Sequence, residues 1–157
     1  MGVVRLLLLL SILGGAGIAG RQSDAPPNLP AGPGKNTFVS VCTLCHDLSA
    51  PMGKQWTREQ WELKVIEMLQ EEPDVTREER TAIVEYLATN FKPGGKIYIN
   101  KAATKDLEAA LEISPSEAEA IVRYRRERGD FKNFEDLKKV SSLDSAKIES
   151  KKDRLVF

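Results

Sequence analysis

The segment Ile113–Gly129, ISPSEAEAIVRYRRERG, carries the signals that decide how the second half of the chain folds. Ser114 is a favourable helix N-cap, Pro115 suits the first helical position, and Glu117 stands where a capping box needs its second partner. Gly129 is a typical helix-ending residue, because its backbone adopts positive φ without strain. The sequence therefore predicts one helix between the serine and the glycine.

Shorter helical segments flank this helix on both sides. Leu107 and Leu111 predict a brief helix before it, and further helices are expected after Asn133 and from about Asp144. A short β-prone stretch, IYI, lies at residues 97–99. Four short helices, paired and joined by tight turns, are the pattern expected for the second half of the chain.

The preceding part of the chain also predicts helices separated by turns. Thr57 with Gln60 and Thr76 with Glu79 form two capping boxes, each followed by apolar residues at helical spacing. Pro73 ends the first of these helices. The apolar positions are Trp61, Val65, Met68 and Leu69 in the first helix, and Ile83, Val84, Leu87 and Phe91 in the second.

Composition divides the chain into segments. Residues 21–35, RQSDAPPNLPAGPGK, are rich in Pro, Gly and Ala and predict a flexible linker. The stretch FKPGGK at residues 91–96 is a second break, so two helical units are expected, at 36–92 and 96–157. The net charge of the whole chain is zero, which does not indicate a strong nucleic-acid-binding surface.

Residues 1–20 are laid out like a secretory signal peptide. Arg5 precedes an apolar run from Leu6 to Leu13, and small residues follow around a cleavage site near Ala19. An uncleaved membrane anchor is the alternative, although the apolar stretch is shorter than the roughly 20 residues of a spanning helix. The expected location is the periplasm, with membrane attachment only if the segment is retained.

Both cysteines of the chain and its one histidine lie together in the segment CTLCH, at Cys42, Cys45 and His46. A structural zinc site needs four ligands, which this set does not complete. A thioredoxin-like dithiol requires an alternating strand and helix context, whereas the flanking segments predict helix. Export also allows a disulfide between Cys42 and Cys45, but their two-residue spacer closes a small loop that stabilises little, and His46 stays unexplained. The remaining interpretation is a c-type haem, with two thioether bonds to the thiols and the imidazole as the proximal iron ligand.

A haem at this position implies further ligands. A single histidine excludes ligation by two histidines from one chain, so a methionine is the expected distal ligand. Met68 has ample chain length to reach the iron and shares a helical face with Trp61, which is expected to pack on the porphyrin. Met52 is the alternative, although its short connection to His46 makes the route strained. An open distal face and a purely structural Met68 remain further alternatives.

The segments CTLCH, WELKVIEML and IVEYLATNF resemble the small monohaem cytochrome c domains of bacteria. The resemblance covers residues 36–91 and implies one covalent haem c per chain, with Met68 at the position of the family's methionine. It also implies one-electron transfer with a redox partner such as a periplasmic dehydrogenase or oxidase. The sequence MLQEEPDV departs from relatives, which commonly carry a glycine soon after that methionine.

Residues 96–157 resemble the double helix-hairpin-helix domain of ComEA-like competence proteins. The resemblance rests on spaced apolar and turn residues that include Ile99, Leu107, Pro115 and Phe131. In that family, Gly–apolar–Gly turns bring backbone amides close to a DNA phosphate. This chain has Glu112–Ser114 and Ser142–Asp144 instead, and each turn carries a carboxylate that repels phosphate.

The arginines of the long helix leave nucleic-acid binding as an alternative function. Arg123, Arg125, Arg126 and Arg128 could neutralise phosphates without regard to sequence, although charge runs on helices are usually solvated faces. The expected protein is therefore all-α, a cytochrome c-like haem domain followed by a helix-hairpin-helix domain. It acts as an electron carrier rather than an enzyme, and the hairpin module docks on a protein partner. The alternative is a periplasmic, competence-like DNA-binding protein with a structural or redox-sensing haem.

Overall fold

The computed structural model of the protein describes residues 28–157. Four helices build the first unit: α1, Lys35–Cys42; α2, Ser49–Met52; α3, Arg58–Met68; and α4, Arg77–Asn90. Thr57 and Thr76 are the N-caps of α3 and α4, and both predicted capping boxes form. Because each box satisfies amides that the first helical turn leaves without partners, local sequence fixes both helix starts.

The second unit contains four further helices and a small pair of strands. Its helices are α5, Thr104–Leu111; α6, Pro115–Arg128; α7, Phe134–Leu137; and α8, Ser145–Glu149. Ser114 caps the start of α6 with a complete capping box and Gly129, where φ is 86°, caps its end, so the prediction of one helix between these two residues is confirmed. A 3₁₀ helix, Lys152–Arg154, precedes strand β2, Leu155–Val156.

Each unit has its own hydrophobic core. Phe38, Trp61, Ile83 and Phe91 lie in the first core, which α1, α3 and α4 surround. The second core contains the apolar positions on which the hairpin resemblance rests, and they are almost fully buried: Ile99, Ala102, Leu107, Ala118, Ile121, Phe131, Phe134, Leu137 and Val140. The described chain is mostly helical, in agreement with the expected class apart from two short strands.

The IYI stretch connects the two cores. Strand β1, Ile97–Tyr98, pairs in parallel with β2, and Ile97 and Tyr98 lie opposite Leu155 and Val156. Ile97 belongs to the second core, whereas Tyr98 packs in the first, where its ring centroid lies 5.6 Å from that of Phe91. The alternation of side chains along a strand thus places successive residues in different cores.

Polar contacts hold the junction between the units. Lys54 forms an ion pair of 2.8 Å with Asp106 at the start of α5. The Gln55 amide donates to the carbonyl oxygens of Gly95 and Lys96 at 3.1 and 2.8 Å. Gly53 lies so close to the backbone that an added Cβ would stand 2.8 Å from the Cα of Ala102. The segment after α2 therefore lies directly against the hairpin unit.

The structure differs from the expected linker where the two can be compared. Residues 1–27, with the expected signal peptide and the first part of the linker, lie outside the described residues. Leu29, inside the expected flexible segment, is only 5% exposed, and the Tyr86 hydroxyl donates to the carbonyl of Pro30 at 2.8 Å. Leu29 and Pro30 are therefore packed on the first unit. In the part of the chain described, no helix has the length and apolarity needed to cross a bilayer.

Candidate functional site

An apolar cavity of about 500 Å³ lies between α1, α3 and α4 of the first unit. The predicted site residues Cys42, Cys45, His46, Trp61 and Met68 all line it, although they come from two separate stretches of sequence. Trp61 is 2% exposed and its indole N–H donates to the carbonyl of Phe91 at 3.1 Å, which fixes the ring in the cavity wall. The structure therefore brings together the residues that the sequence singled out.

The cysteines and the histidine are less regular than expected. Helix α1 ends at Cys42, and residues 43–45 form a turn instead of a continued helix. Cys42 is half-buried, whereas Cys45 and His46 are exposed. Burial, followed by the charge of Cys45, raises the pKa of Cys42 to about 11, because an apolar wall stabilises the thiol over the thiolate. The two cysteines therefore differ in accessibility.

The two candidate methionines occupy different places. Met68, at the end of α3, is 45% exposed and lines the cavity. Met52, at the end of α2, is 2% exposed and belongs to the first core. Leu44 also lines the cavity and is exposed, so two large apolar side chains, Leu44 and Met68, combine exposure with a place in the cavity wall.

In the hairpin unit, the turns that lack the family's glycines are held by their own side chains. Glu112 adopts the left-handed conformation, with φ of 58°, a region in which glycine is ordinarily preferred. Its carboxylate pairs with Lys151. In the second turn, the carboxylate of Asp144 caps α8 by accepting from the amide of Ala146 at 3.0 Å. Both carboxylates are thus engaged in holding the turns.

Glu117 joins the two hairpin turns. Its side chain accepts from the Ser114 amide at 2.8 Å and the Ser114 hydroxyl at 2.7 Å, and also from the Asp144 amide at 3.0 Å. These hydrogen bonds to Ser114, and then that from Asp144, lower the pKa of Glu117 to about 2. The sequence showed the capping box but not the contact with Asp144, because that partner is 27 residues away. The Glu117 carboxylate therefore accepts a hydrogen bond from one backbone amide of each turn.

The four arginines of α6 do not act alike. Arg123, Arg126 and Arg128 are exposed, and within residues 28–157 none of them is ion-paired. The guanidinium of Arg125 instead turns inward and donates to the carbonyl of Ile99 at 2.7 Å. Burial lowers its pKa because the charged form is less well solvated. Arg125 is thus a structural residue, and three of the four expected cations remain accessible to a phosphate.

A second group of cations lies beside α7 and was not predicted from the sequence. The ammonium groups of Lys138 and Lys152 stand 5.6 and 5.0 Å from the ring centroid of Phe134. Each also pairs with a carboxylate three residues away, Lys138 with Glu135 and Lys152 with Glu149. Such exposed pairs are weak and exchange readily with other anions.

Comparison with known proteins identifies the hairpin unit. Residues 92–156 match the family described as helix-hairpin-helix motif. An uncharacterized protein of Haemophilus influenzae is 38% identical over 63 residues, which cover 40% of this chain and 56% of that protein. ComE operon protein 1 of Bacillus subtilis is 37% identical over 62 residues, which cover 40% of this chain and 30% of that protein.

The chain therefore spans only about half or less of the length of these relatives. No solved structure matches the chain. The family match supports the helix-hairpin-helix part of the resemblance, and the Bacillus subtilis relative supports its ComEA-like part.

These findings correct the function predicted from the cysteines and the histidine. The family match lies in the hairpin unit, and together with the relatives it favours the competence-like alternative over an electron carrier. In residues 28–157, no group of three or more His, Cys, Asp and Glu side chains is arranged to hold a metal ion. The predictions of electron transport and of haem c with its iron are therefore wrong. The expectation of a redox partner depended on them and has no further support.

The physical reason lies in what residue spacing can establish. The haem prediction assumed that one helical turn presents both thiols and the imidazole together, whereas α1 ends at Cys42 and His46 lies in an exposed segment. Spacing along the chain shows only that residues are neighbours. It does not show what their side chains bind.

Proposed function

We propose that the chain is a competence-like protein whose hairpin module binds double-stranded DNA through its phosphates, without sequence preference. The observation that carries this proposal is the helix-hairpin-helix match over residues 92–156, together with the burial of the apolar positions that define the module. The activity is binding rather than bond chemistry. An exported location is part of the proposal, because residues 1–20 resemble a signal peptide.

For the first unit we propose a fold and no binding activity. Its segments resemble a cytochrome c-like domain, and three helices of at least eight residues surround a common core. We include that likeness as a proposed helical scaffold and assign it no cofactor. Its contacts through Lys54 and Gln55 hold it against the hairpin module.

The hairpin amides are poor phosphate ligands in this chain. The carboxylate of Glu117 already accepts from the amides of Ser114 and Asp144. Glu112 and Asp144 add negative charge at the two turns. A phosphate approaching either turn would therefore meet carboxylates, and close contact at the turn backbone is unfavourable.

The exposed arginines of α6 offer a better contact. Arg123 and Arg126 are three residues apart and so are neighbours on one helix face, while Arg128 stands in the last turn. Glu119 and Glu127 lie four residues to either side of Arg123 and reduce the local positive charge. The expected affinity is therefore modest and strongly dependent on salt, since each phosphate contact releases a counterion.

Fluorescence anisotropy with a labelled DNA duplex tests the proposal. We expect binding by the full chain that weakens steeply between low and moderate salt and is equal for two unrelated duplex sequences. The double variant Arg123→Gln/Arg126→Gln should reduce the slope of log K against log[salt] by about 2, at roughly 0.9 per lost contact.

A matched variant separates this site from general charge. Arg77→Gln/Lys92→Gln also removes two exposed cations, one in the first unit and one in the break between the units. Its salt slope should equal that of the unmodified protein. No binding by the unmodified chain at low salt, or equal losses in the two double variants, would refute phosphate recognition by α6.

A further inference from the structure

We propose that Cys42 and Cys45 form a reversible intrachain disulfide at the wall of the apolar cavity, in exchange with an external low-molecular-weight disulfide. This thiol modification site is independent of the DNA binding proposed above. The chain contains two cysteines in total, so only one intrachain pairing is possible. Both side chains line the same cavity.

The turn after α1 keeps the two thiols close together, because only two residues separate Cys42 from Cys45. The amide of Thr43 donates to the Val39 carbonyl at 3.1 Å and that of Leu44 donates to the Val41 carbonyl at 3.3 Å, so the chain folds back tightly directly after Cys42. A disulfide needs Cβ atoms about 3.5–4.5 Å apart, and a local shift of the turn is enough to reach that distance.

The turn that follows α1 can supply this shift. Residues 43–45 lie outside the regular helix, and Cys45 and Leu44 are both exposed. No described disulfide holds either cysteine. Movement of Cys45 toward Cys42 consequently disturbs little of the first core, because the buried side chains of α1, Phe38 and Val39, lie upstream of both thiols.

The two thiols have different tasks in the exchange. Cys45 is exposed and is the sulfur that an external disulfide reaches first, whereas Cys42 is half-buried in the cavity wall. The raised pKa of Cys42 agrees with this order, since a protonated thiol is a poor initial nucleophile. Cys45 therefore reacts first and Cys42 resolves the product.

The exchange balances in two steps. The Cys45 thiolate attacks the external disulfide, a new S–S bond forms on Cys45, and one external thiolate leaves. Cys42 then gives up its proton to solvent and attacks the Cys45 sulfur, which closes the intrachain bond and releases the second external thiolate. The protein loses two electrons and two protons in total. The external disulfide gains both electrons and, after protonation, becomes two thiols.

Equilibration of the full chain with mixtures of oxidised and reduced glutathione tests the proposal, followed by acid quench, alkylation and intact mass analysis. We expect a monomer lighter by two hydrogens that takes up no alkylating reagent, and its return to the dithiol form as reduced glutathione increases. A monomer in which both thiols are alkylated under oxidising mixtures, or only intermolecular dimers, would overturn the proposal.

Single variants test the order of attack. Cys42→Ser should accumulate a stable glutathione adduct on Cys45, because no second thiol is present to displace it. Cys45→Ser should acquire its adduct at Cys42 at least about tenfold more slowly, since burial restricts access. Equal rates in the two variants would contradict the assigned order, and the dithiol–disulfide equilibrium of the unmodified chain remains the decisive measurement.

Discussion

Replacing Glu117 by glutamine should destabilise the hairpin module more than any other single change of charge in α6. The carboxylate accepts hydrogen bonds from Ser114 and from Asp144, so it connects the two hairpin turns. Glutamine keeps one acceptor oxygen but places an amide N–H₂ where the second oxygen lies. That group would then face a backbone N–H, a donor against a donor, in a residue that is only 8% exposed.

The cost follows from the hydrogen bonds that are lost. Loss of one charge-assisted hydrogen bond together with an unsatisfied buried donor costs about 2–3 kcal/mol. The same hydrogen bonds lower the pKa of Glu117 from 4.5 to about 2, so the folded chain favours the charged carboxylate over a neutral group. With a urea dependence of about 2 kcal/mol/M, the midpoint of unfolding should fall by about 1 M at neutral pH.

Far-UV circular dichroism in urea measures the effect on the helices. The fluorescence of Trp56 and Trp61 reports the first unit separately, since both indoles lie there. Glu119→Gln is the matched control, because Glu119 is an exposed carboxylate on the same helix. Equal urea midpoints for Glu117→Gln, Glu119→Gln and the unmodified chain would refute the assignment of Glu117 as the link between the turns.

The same carboxylate predicts an acid-sensitive contribution to stability. Because its folded-state pKa lies below the unfolded value, the stabilisation is complete above about pH 4.5 and is lost as the pH falls toward 2. The free energy of unfolding of the unmodified chain should therefore fall through this interval. The Glu117→Gln variant should lose less over the same interval, and urea titrations at several pH values give the comparison.

Three further changes test the cavity and the junction between the units. Gly53→Ala should destabilise the chain by about 1–3 kcal/mol in thermal unfolding, because the new Cβ would lie 2.8 Å from the Ala102 Cα; an unchanged melting temperature would contradict this close approach. Asp106→Asn should cost about 1 kcal/mol or less, since its ion pair with Lys54 is partly solvated, and a loss above 3 kcal/mol in urea unfolding would show a larger role. Trp61→Ala should cost about 3–5 kcal/mol by enlarging the cavity and removing a buried side chain, and a cost below 1 kcal/mol in the same assay would show that the indole is not packed as described.

Local signals predicted the helix starts well, whereas the predicted end of α3 at Pro73 was wrong, because this helix already ends at Met68. The capping boxes at Thr57, Thr76 and Ser114 depend on residues three positions apart, so the sequence contains the whole interaction. Gly129 likewise ends α6 through its own backbone preference. The hairpin module was recognised for a related reason, because many spaced apolar positions had to agree at once.

Long-range contacts could not be predicted in the same way. The inward turn of Arg125 to Ile99 spans 26 residues, the contact of Glu117 with Asp144 spans 27, and the pair Lys54–Asp106 spans 52. The packing of whole helices decides which charged side chains form such contacts, and the local sequence does not show it. For this reason Arg125 resembled its exposed neighbours in sequence but has a different role in the folded chain.

The candidate site illustrates both cases. Trp61 and Met68 were selected for their helical face, and the structure places both at the cavity with the cysteines. The nature of the ligand was predicted wrongly, because CTLCH fixes the proximity of its residues and not their binding partner. The cations at Phe134 were missed, since Lys138 and Lys152 meet there only after α7 and the 3₁₀ helix have packed.

Strand β1, Ile97–Tyr98, pairs in parallel with Leu155–Val156. The pair therefore cannot form until almost the whole chain has been synthesised. The first unit can begin to fold as soon as its helices leave the ribosome, but Tyr98 stays without its strand partner while 58 further residues are made. At about 5–20 residues per second, that delay is about 3–12 s. During this interval an apolar segment of the nascent chain is open to chaperones, so a slowly translated message would prolong the time in which the chain is most exposed to misassembly.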